Sequence, residues 1–205
     1  MSILRITLVV FVFAPSLAAA QTASWTPELS GSAGLGHVFR FDDRSFGDRA
    51  NVGGGVAMSH PSGWVIEIAG DRTAGLEPTL APCGIVTVTC VGVGHDGPRS
   101  IAVASLTVHY RFRARRVQPY VFGGLGMMWS RSVHSVTRVR GPIATISESE
   151  SSDRGFGPDL GAGLRVAIGR SVSISPEVRW LDAPWRSRQN LAVTRLQLRV
   201  TYSIR

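Results

Sequence analysis

The chain has 205 residues, of which 44% are hydrophobic, 18% charged and 8% aromatic, and it contains 23 glycines. This length fits a single domain, and the normal apolar content excludes a chain that is disordered throughout. All 22 basic residues are arginine, against 14 acidic residues, so the formal net charge is +8. A GC-rich genome is the simpler explanation of that bias, and phosphate binding by guanidinium groups is the alternative.

Residues 1–20 predict a secretory signal peptide. Arg5 supplies a positive start, the apolar run Ile6–Phe13 is too short to span a bilayer as a helix, and 18–20 is a small-residue cleavage site. An uncleaved anchor would require a longer apolar run. We therefore expect a mature domain of residues 21–205 that is exported from the cytoplasm and has no nucleic acid as partner.

After residue 20 no stretch approaches the ~20 apolar residues of a spanning helix. The mature chain is thus expected to be soluble in an exported compartment or to cross a membrane by strands. Cys83 and Cys90 fit an oxidising compartment, where a disulfide between them would close a short loop. Metal binding by these two cysteines is the weaker alternative, because no histidine pair lies nearby.

Apolar and polar residues alternate with period two along the mature chain. In the last segment Leu196, Leu198 and Val200 share one face, whereas Arg195 and Arg199 fall on the other. A strand with this contrast has two very different environments on its faces. Such segments predict eight strands, at 25–40, 51–59, 64–72, 100–112, 119–130, 156–168, 172–181 and 191–204.

The predicted connections alternate between long and short. The long ones are residues 41–50, 73–99, 131–155 and 182–190, and the short ones are 60–63, 113–118 and 169–171. Short periplasmic turns and longer extracellular loops are typical of outer-membrane barrels. The predicted fold class is therefore all-β: an eight-stranded antiparallel up-and-down transmembrane β-barrel.

Aromatic residues near both strand ends support this interpretation, because interfacial belts are expected there. The predicted belt residues are Trp64, Tyr110, Tyr120, Trp129, Trp180 and Tyr202. From Tyr120 to Trp129 a strand tilted by ~40° projects to roughly 23 Å, close to an apolar band of ~25 Å. Chance enrichment of aromatics at strand ends is the alternative.

If the apolar face contacts lipid, the polar face must fill the interior. Eight strands leave a bore just wide enough for side chains, and unpaired buried charges are costly. We therefore expect a lumen plugged by paired charges: Glu28, Glu67, Asp71, His109, Arg111, Asp159, Arg165, Glu177, Arg179, Arg195 and Arg199. A narrow path for protons, ions or small solutes through this network is an alternative.

Three glycine clusters, at residues 53–55, 123–126 and 161–163, look superficially like phosphate loops. A phosphate loop requires a following helix, and no helical pattern follows any of them. We interpret them as strand residues that ease bending and close approach.

The segment Pro119–Gly126 (PYVFGGLG), which follows the strand end Tyr110–Arg113, resembles the small outer-membrane β-barrel family of OmpA-, OmpX- and OmpW-like porin-fold proteins. The resemblance extends over about 25–204. It implies an integral outer-membrane protein with a structural or surface-interaction role and no cofactor. Outer-membrane lipid, lipopolysaccharide and the barrel-assembly machinery are the expected partners of a monomer. Members commonly end in an aromatic residue; this chain ends in Arg205, so Tyr202 would carry that signal.

A lipid A-modifying hydrolase is an alternative function. Ser132, His134 and Ser135 share the predicted loop 131–155 with Glu148 and Glu150, and a serine nucleophile needs a histidine and a carboxylate. Serine is common in such loops, so we predict no catalytic residues and no enzyme.

The same loop carries Arg131, Arg138, Arg140 and Arg154. These arginines could contact lipopolysaccharide phosphates or a host surface, although a solvated loop of mixed sign is the simpler interpretation.

The second fold class is a soluble periplasmic calyx, which also shows period two but turns its apolar face inward around a lipid ligand. The aromatic belts and alternating loop lengths favour the membrane barrel. His37, His60 and His95 are scattered over different elements, so no metal site is predicted.

Overall fold

A computed structural model describes residues 25–40, 44–76, 91–112, 116–140, 143–184 and 191–204. The strands are β1 (Thr26–Arg40), β2 (Arg44–Ser59), β3 (Trp64–Ala74), β4 (Val91–Arg111), β5 (Val117–Arg140), β6 (Ile143–Ala167), β7 (Val172–Asp182) and β8 (Leu191–Ser203). Each strand pairs with the next in antiparallel fashion, and β8 pairs with β1, which closes the barrel. Within the described ranges no helix is long and apolar enough to cross a membrane.

The eight-stranded up-and-down barrel predicted from the sequence is confirmed, but four strands are much longer than predicted. β2 begins at Arg44 rather than at residue 51. β4 begins at Val91, β5 continues to Arg140 and β6 begins at Ile143. Most of the predicted loop 131–155 is therefore a β-hairpin, in which Ser132 pairs with Ser151. The period-two signal fades in this hairpin because it lies beyond the apolar wall, where polar residues suit both of its faces.

Burial alternates along the strands in the sense opposite to that of a water-soluble protein. On β8, Leu196 and Leu198 are 59% and 50% exposed, whereas Arg195 is 0% exposed. The same alternation runs along β3, where Ile66 and Ile68 are exposed and Glu67 is buried. The apolar rows thus form the outer wall of the barrel, whereas a calyx would require them to face inward.

Aromatic side chains lie on the outer wall near the short turns. The rings of Trp64 and Tyr110 meet edge to face with their centroids 5.0 Å apart, and the ring centroids of Phe112 and Tyr110 are 5.2 Å apart. Tyr202 at the end of β8 and Trp129 midway along β5 are also exposed on this wall. Trp180 is half-buried. A role of these five predicted belt residues at a membrane interface stays a prediction.

The assignment of Tyr120 to an aromatic belt is wrong. Its side chain is 5% exposed, and its hydroxyl donates a hydrogen bond to Glu177 Oε2 at 2.7 Å inside the barrel. Tyr120 and Trp129 are nine positions apart in the sequence, and an odd difference places two residues on opposite faces of one strand. The rule that identified the strand therefore also places Tyr120 inside.

Glycines on β6 make room for this ring and for that of Phe122. A Cβ atom at Gly163 would collide with the Tyr120 phenol, and one at Gly161 would collide with the Phe122 ring. The register places each glycine opposite the ring that it accommodates. These glycines are strand residues that permit close approach, as predicted.

We predict that Ile68→Arg destabilises the barrel in lipid vesicles by about 2–4 kcal/mol, because it places a charge in the middle of the apolar outer wall, which we expect to face lipid. Urea titration of the vesicle-inserted protein measures this loss. Ile168→Arg in the short turn is the matched control and should cost less than ~1 kcal/mol. Equal, near-zero effects at the two positions would show that water, not lipid, surrounds residue 68.

Candidate functional site: the closed lumen

The interior charges of the barrel form three layers, and the layer nearest the short turns is centred on Glu28. Arg111 donates to Glu28 Oε2 at 2.6 Å, and Arg165 donates to Oε1 at 2.9 Å. The Ser203 hydroxyl donates to the same carboxylate at 3.2 Å. β4 and β6 are not neighbours of β1, so the two arginines reach Glu28 across the lumen.

Glu177 is the centre of the middle layer. Its carboxylate accepts hydrogen bonds from the Tyr120 hydroxyl and Gln197 Nε2, both at 2.7 Å, and from Arg199 Nη2 at 3.2 Å. Arg199 also donates to Glu67 on β3. β8 and β3 are separated by β1 and β2, so this contact also crosses the interior.

His109 belongs to the same layer but is not paired with an arginine. Its Nε2 atom lies 2.9 Å from the Thr107 hydroxyl and 3.9 Å from Glu67 Oε2. Its ring stacks on Phe122 with a centroid separation of 4.7 Å. The imidazole thus fills space between the aromatic rings and the ion pairs.

The third layer joins Arg179 and Arg195 to two aspartates. Arg179 Nε lies 2.9 and 3.0 Å from the two carboxylate oxygens of Asp159, and its Nη2 atom donates to the Ser105 hydroxyl at 2.8 Å. Arg195 donates to Asp71 on β3 and lies 3.5 Å from Asp159. Together these contacts connect β3, β4, β6, β7 and β8 through the interior.

The structure thus places all eleven predicted lumen residues inside the barrel. Arg179, which lies 3.7 Å from Glu67 and 3.9 Å from Glu177, joins the second and third layers, whereas the Glu28 layer is a separate group of contacts. We call these eleven residues the lumen network. Apart from His109 it consists of five carboxylates (Glu28, Glu67, Asp71, Asp159, Glu177) and five guanidinium groups (Arg111, Arg165, Arg179, Arg195, Arg199). The formal charges of these ten groups cancel. Neutrality matters because an uncompensated buried ion costs several kcal/mol.

Beyond the lumen network, towards the long connections, the interior carries a layer of apolar side chains, with the buried polar residues Asn51, Thr73 and Ser130 in the same row as Ile101. This layer consists of Val38, Leu76, Ile101, Val103, Met128, Leu181, Ala183, Leu191 and Val193, each at most 4% exposed. We call it the apolar layer. Sequence reasoning missed it, although the signal is present: Val193 and Leu191 continue the inward row of β8 that carries Arg199 and Arg195.

A small cavity separates the layers of Glu28 and Glu177. It has a volume of about 20 Å³ and is lined by residues that include His109, Arg111 and Tyr120. This volume accommodates about one water molecule. A space of that size fits a filled interior rather than a channel.

The residues considered for hydrolysis do not all converge. Ser132 is 1% exposed on the inner face of β5, whereas Glu150 is exposed and lies beside Arg131 on the outer face. These two side chains therefore cannot belong to one catalytic set. The side chains of His134, Ser135 and Glu148 lie outside the described part of the chain.

Other predicted features also fall outside the described residues: the Cys83–Cys90 disulfide and the signal peptide. Both stay predictions. Among the residues that the structure describes, no group of three or more histidine, cysteine or acidic side chains is placed to hold a metal ion. His37 instead pairs with Asp48 at 2.7 Å, and His60 contacts the Ser62 hydroxyl at 2.6 Å.

Comparison with known proteins identifies the family. The sequence model described as "Outer membrane protein beta-barrel domain" matches residues 6–203, almost the whole chain. The chain therefore belongs to the outer membrane protein β-barrel family. A search of curated proteins found no relative of this chain.

Solved structures share the fold at low sequence identity. Ail, the attachment invasion locus protein of Yersinia pestis, in complex with the heparin analogue sucrose octasulfate, is 13% identical with a TM-score of 0.54, over 89% of this chain and 100% of that chain. Neisserial surface protein A is 13% identical with a TM-score of 0.53, over 87% and 97%. A major outer membrane protein of Thermus thermophilus is 10% identical with a TM-score of 0.54, over 89% and 100%. At these identities the likeness shows the fold alone.

We predict that Asp159→Asn lowers the free energy of unfolding by about 3 kcal/mol, because Arg179 then lacks its closest counter-charge in a buried site. Denaturant titration in lipid vesicles measures the loss. Asp159→Asn combined with Arg179→Met restores the charge balance and should recover part of it. Glu150→Gln, at an exposed ion pair, is the control and should change stability by less than ~0.5 kcal/mol. A double variant less stable than Asp159→Asn alone would contradict a role for charge balance.

Proposed function

We propose that this protein is a non-conducting, non-catalytic barrel of the outer membrane, with a structural or surface-interaction role. The observation that supports it best is the double filling of the lumen by a neutral charge network and an apolar layer. A conducting pore needs a continuous hydrated path, whereas the nine side chains of the apolar layer cannot form hydrogen bonds with water.

The lumen network also favours a rigid interior over a gated one. Arg179 makes hydrogen bonds to Asp159 and Ser105 and lies 4.9 Å from the centroid of the Phe122 ring. Opening a path past it would separate buried charges from their partners, which is costly. We infer that the interior side chains close the lumen and stabilise the barrel wall through contacts between strands.

The long strands provide the surface available for interaction. β5 and β6 contain 24 and 25 residues, whereas β3 and β7 contain 11 each. A tilted strand needs about 9–11 residues to cross a bilayer. The β5–β6 hairpin therefore extends well beyond the apolar wall, on the side where extracellular contacts are expected. The Yersinia Ail structure contains a sulfated sugar, but for this chain that shared fold is an analogy only.

Several expectations from the sequence belong to the same proposal. They are export through a cleaved signal peptide, assembly by the barrel-assembly machinery, contact with lipopolysaccharide and a monomeric state. Tyr202, which is 53% exposed on the outer wall at the end of β8, remains the candidate for an assembly signal.

We predict that the purified protein in planar lipid bilayers produces no steady conductance steps. The reason is the apolar layer, which leaves the interior without a hydrated path. Insertion is checked independently by resistance of the barrel to protease and by a mobility shift between boiled and unboiled samples. A channel-forming porin in the same bilayers is the positive control. Steady unitary currents from inserted protein would contradict the proposal and favour the pore.

A further inference from the structure

The outer wall formed by β3–β6 changes from apolar to cationic towards the long connections. One row of paired residues joins Arg72 to Ala102, Ala102 to Trp129 and Trp129 to Arg154. Arg72, Trp129 and Arg154 are exposed on the outer face, and so is Arg131, two residues beyond Trp129 on β5. We call Arg72, Arg131 and Arg154 the exterior arginine cluster.

These arginines lie near the expected limit of the apolar band. Arg72 is eight residues beyond Trp64 on β3, which corresponds to about 20 Å of height for strands tilted by ~40°. Because the strands are tilted, each step along this row to the next strand moves about 3 Å along the barrel axis towards the long connections. Arg154 therefore lies roughly 10 Å further out along the axis than Arg72. With a band of ~25 Å that begins near Trp64, Arg72 is just inside the limit and Arg154 just outside it.

All three guanidinium groups can therefore reach one polar layer. A headgroup region adds about 5–7 Å to each side of the hydrocarbon. The stem of Arg72 can follow the wall while its charged end extends outwards, as long basic side chains do at interfaces. Arg131 lies two residues beyond Trp129 on β5, which places it at nearly the same height along the barrel axis as Arg154.

The spacing in the cluster suits phosphate groups. Arg131 and Arg154 are diagonal neighbours on paired strands, with Cα atoms about 7–8 Å apart, so one phosphate can contact both. Arg72 lies three strands away, about 14 Å around the wall, which leaves it to a second phosphate. Guanidinium forks match phosphate oxygens in geometry and charge.

The charge of the cluster is poorly compensated by the protein. Arg131 Nε lies 3.8 Å from Glu150 Oε2, and both side chains are more than half exposed. In the described part of the chain, neither Arg72 nor Arg154 has a side-chain ion pair. Below the cluster the same wall exposes Leu125, Met127 and Phe156, which can pack against acyl chains.

We propose that the exterior arginine cluster binds the phosphate groups of a phosphorylated lipid in the outer leaflet, whose acyl chains lie on the apolar wall beneath it. This inference rests on the proposed function, because it requires the outer wall to face a membrane. It places the lipid on the outer face of β3–β6, with its phosphate groups at Arg72, Arg131 and Arg154.

The test is native mass spectrometry of the folded protein, released from detergent after incubation with lipid A carrying two phosphates. The variant is Arg72→Gln/Arg131→Gln/Arg154→Gln, and Arg170→Gln in the exposed turn at the other end is the matched control. Loss of each arginine should weaken the affinity for the lipid about fivefold. The triple variant should therefore bind the lipid on the order of 100-fold more weakly, and the control should bind it like the wild type. The same lipid without phosphates, inorganic phosphate and sucrose octasulfate are tested in parallel.

The expected result is retention of the bisphosphorylated lipid, weak retention of its dephosphorylated form and no displacement by inorganic phosphate. Equal lipid retention by wild type and triple variant would overturn the inference. So would arginine-dependent binding of sucrose octasulfate without any of the lipid, which would point to a soluble polyanion. A protein that does not insert into bilayers overturns the proposed function itself, whereas an inserted barrel without lipid selectivity overturns only the lipid site.

Discussion

The pairing of arginines with carboxylates inside the barrel is the interaction on which the rest of the structure depends. Arg195 and Arg199 on β8 reach Asp71 and Glu67 on β3, although two strands lie between them around the wall. A slip of one residue in either strand would exchange its two faces and place the charged side chains of that strand on the apolar outer wall. The ion pairs therefore fix the register of the sheet while they neutralise the interior.

The two halves of the interior use different chemistry. Near the short turns the Glu28 layer is partly accessible, since the side chains of Arg111 and Arg165 are 18% and 13% exposed. Nearer the long connections Arg179 and Arg195 are almost fully buried, and the apolar layer follows directly. The charges deepest in the interior thus lie next to the layer that excludes water, where their pairing matters most.

On the outer wall the order is reversed, because the apolar part lies nearer the short turns and the arginines lie nearer the long connections. Among the described residues, the wall is apolar along most of its height and carries Arg72, Arg131 and Arg154 where β3, β5 and β6 approach the expected headgroup layer. A basic side chain on a lipid-facing wall costs several kcal/mol at the centre of a bilayer but little near its surface. The positions of Arg72 and Arg154 follow that gradient.

Much of this architecture could be predicted from the sequence, because period two separates Leu196 and Leu198 from Arg195 and Arg199 without further information. The same rule applied strictly would have placed Tyr120 inside. The contacts across the lumen could not be predicted, because which arginine meets Glu28 depends on the tilt and stagger of strands that are remote in sequence. The length of β5 and β6 was missed because their outer halves lack the apolar contrast that marks the other strands.

The central claim is that the apolar rows face lipid while the charges are enclosed. The most direct measurement is collision accessibility of spin labels at positions 196, 198 and 200, introduced one at a time into a vesicle-inserted variant in which both native cysteines are serine. The account predicts that oxygen, which concentrates in hydrocarbon, reaches all three labels and that a water-soluble nickel complex does not. Labels that the nickel complex reaches as readily as one at exposed position 170 would contradict it.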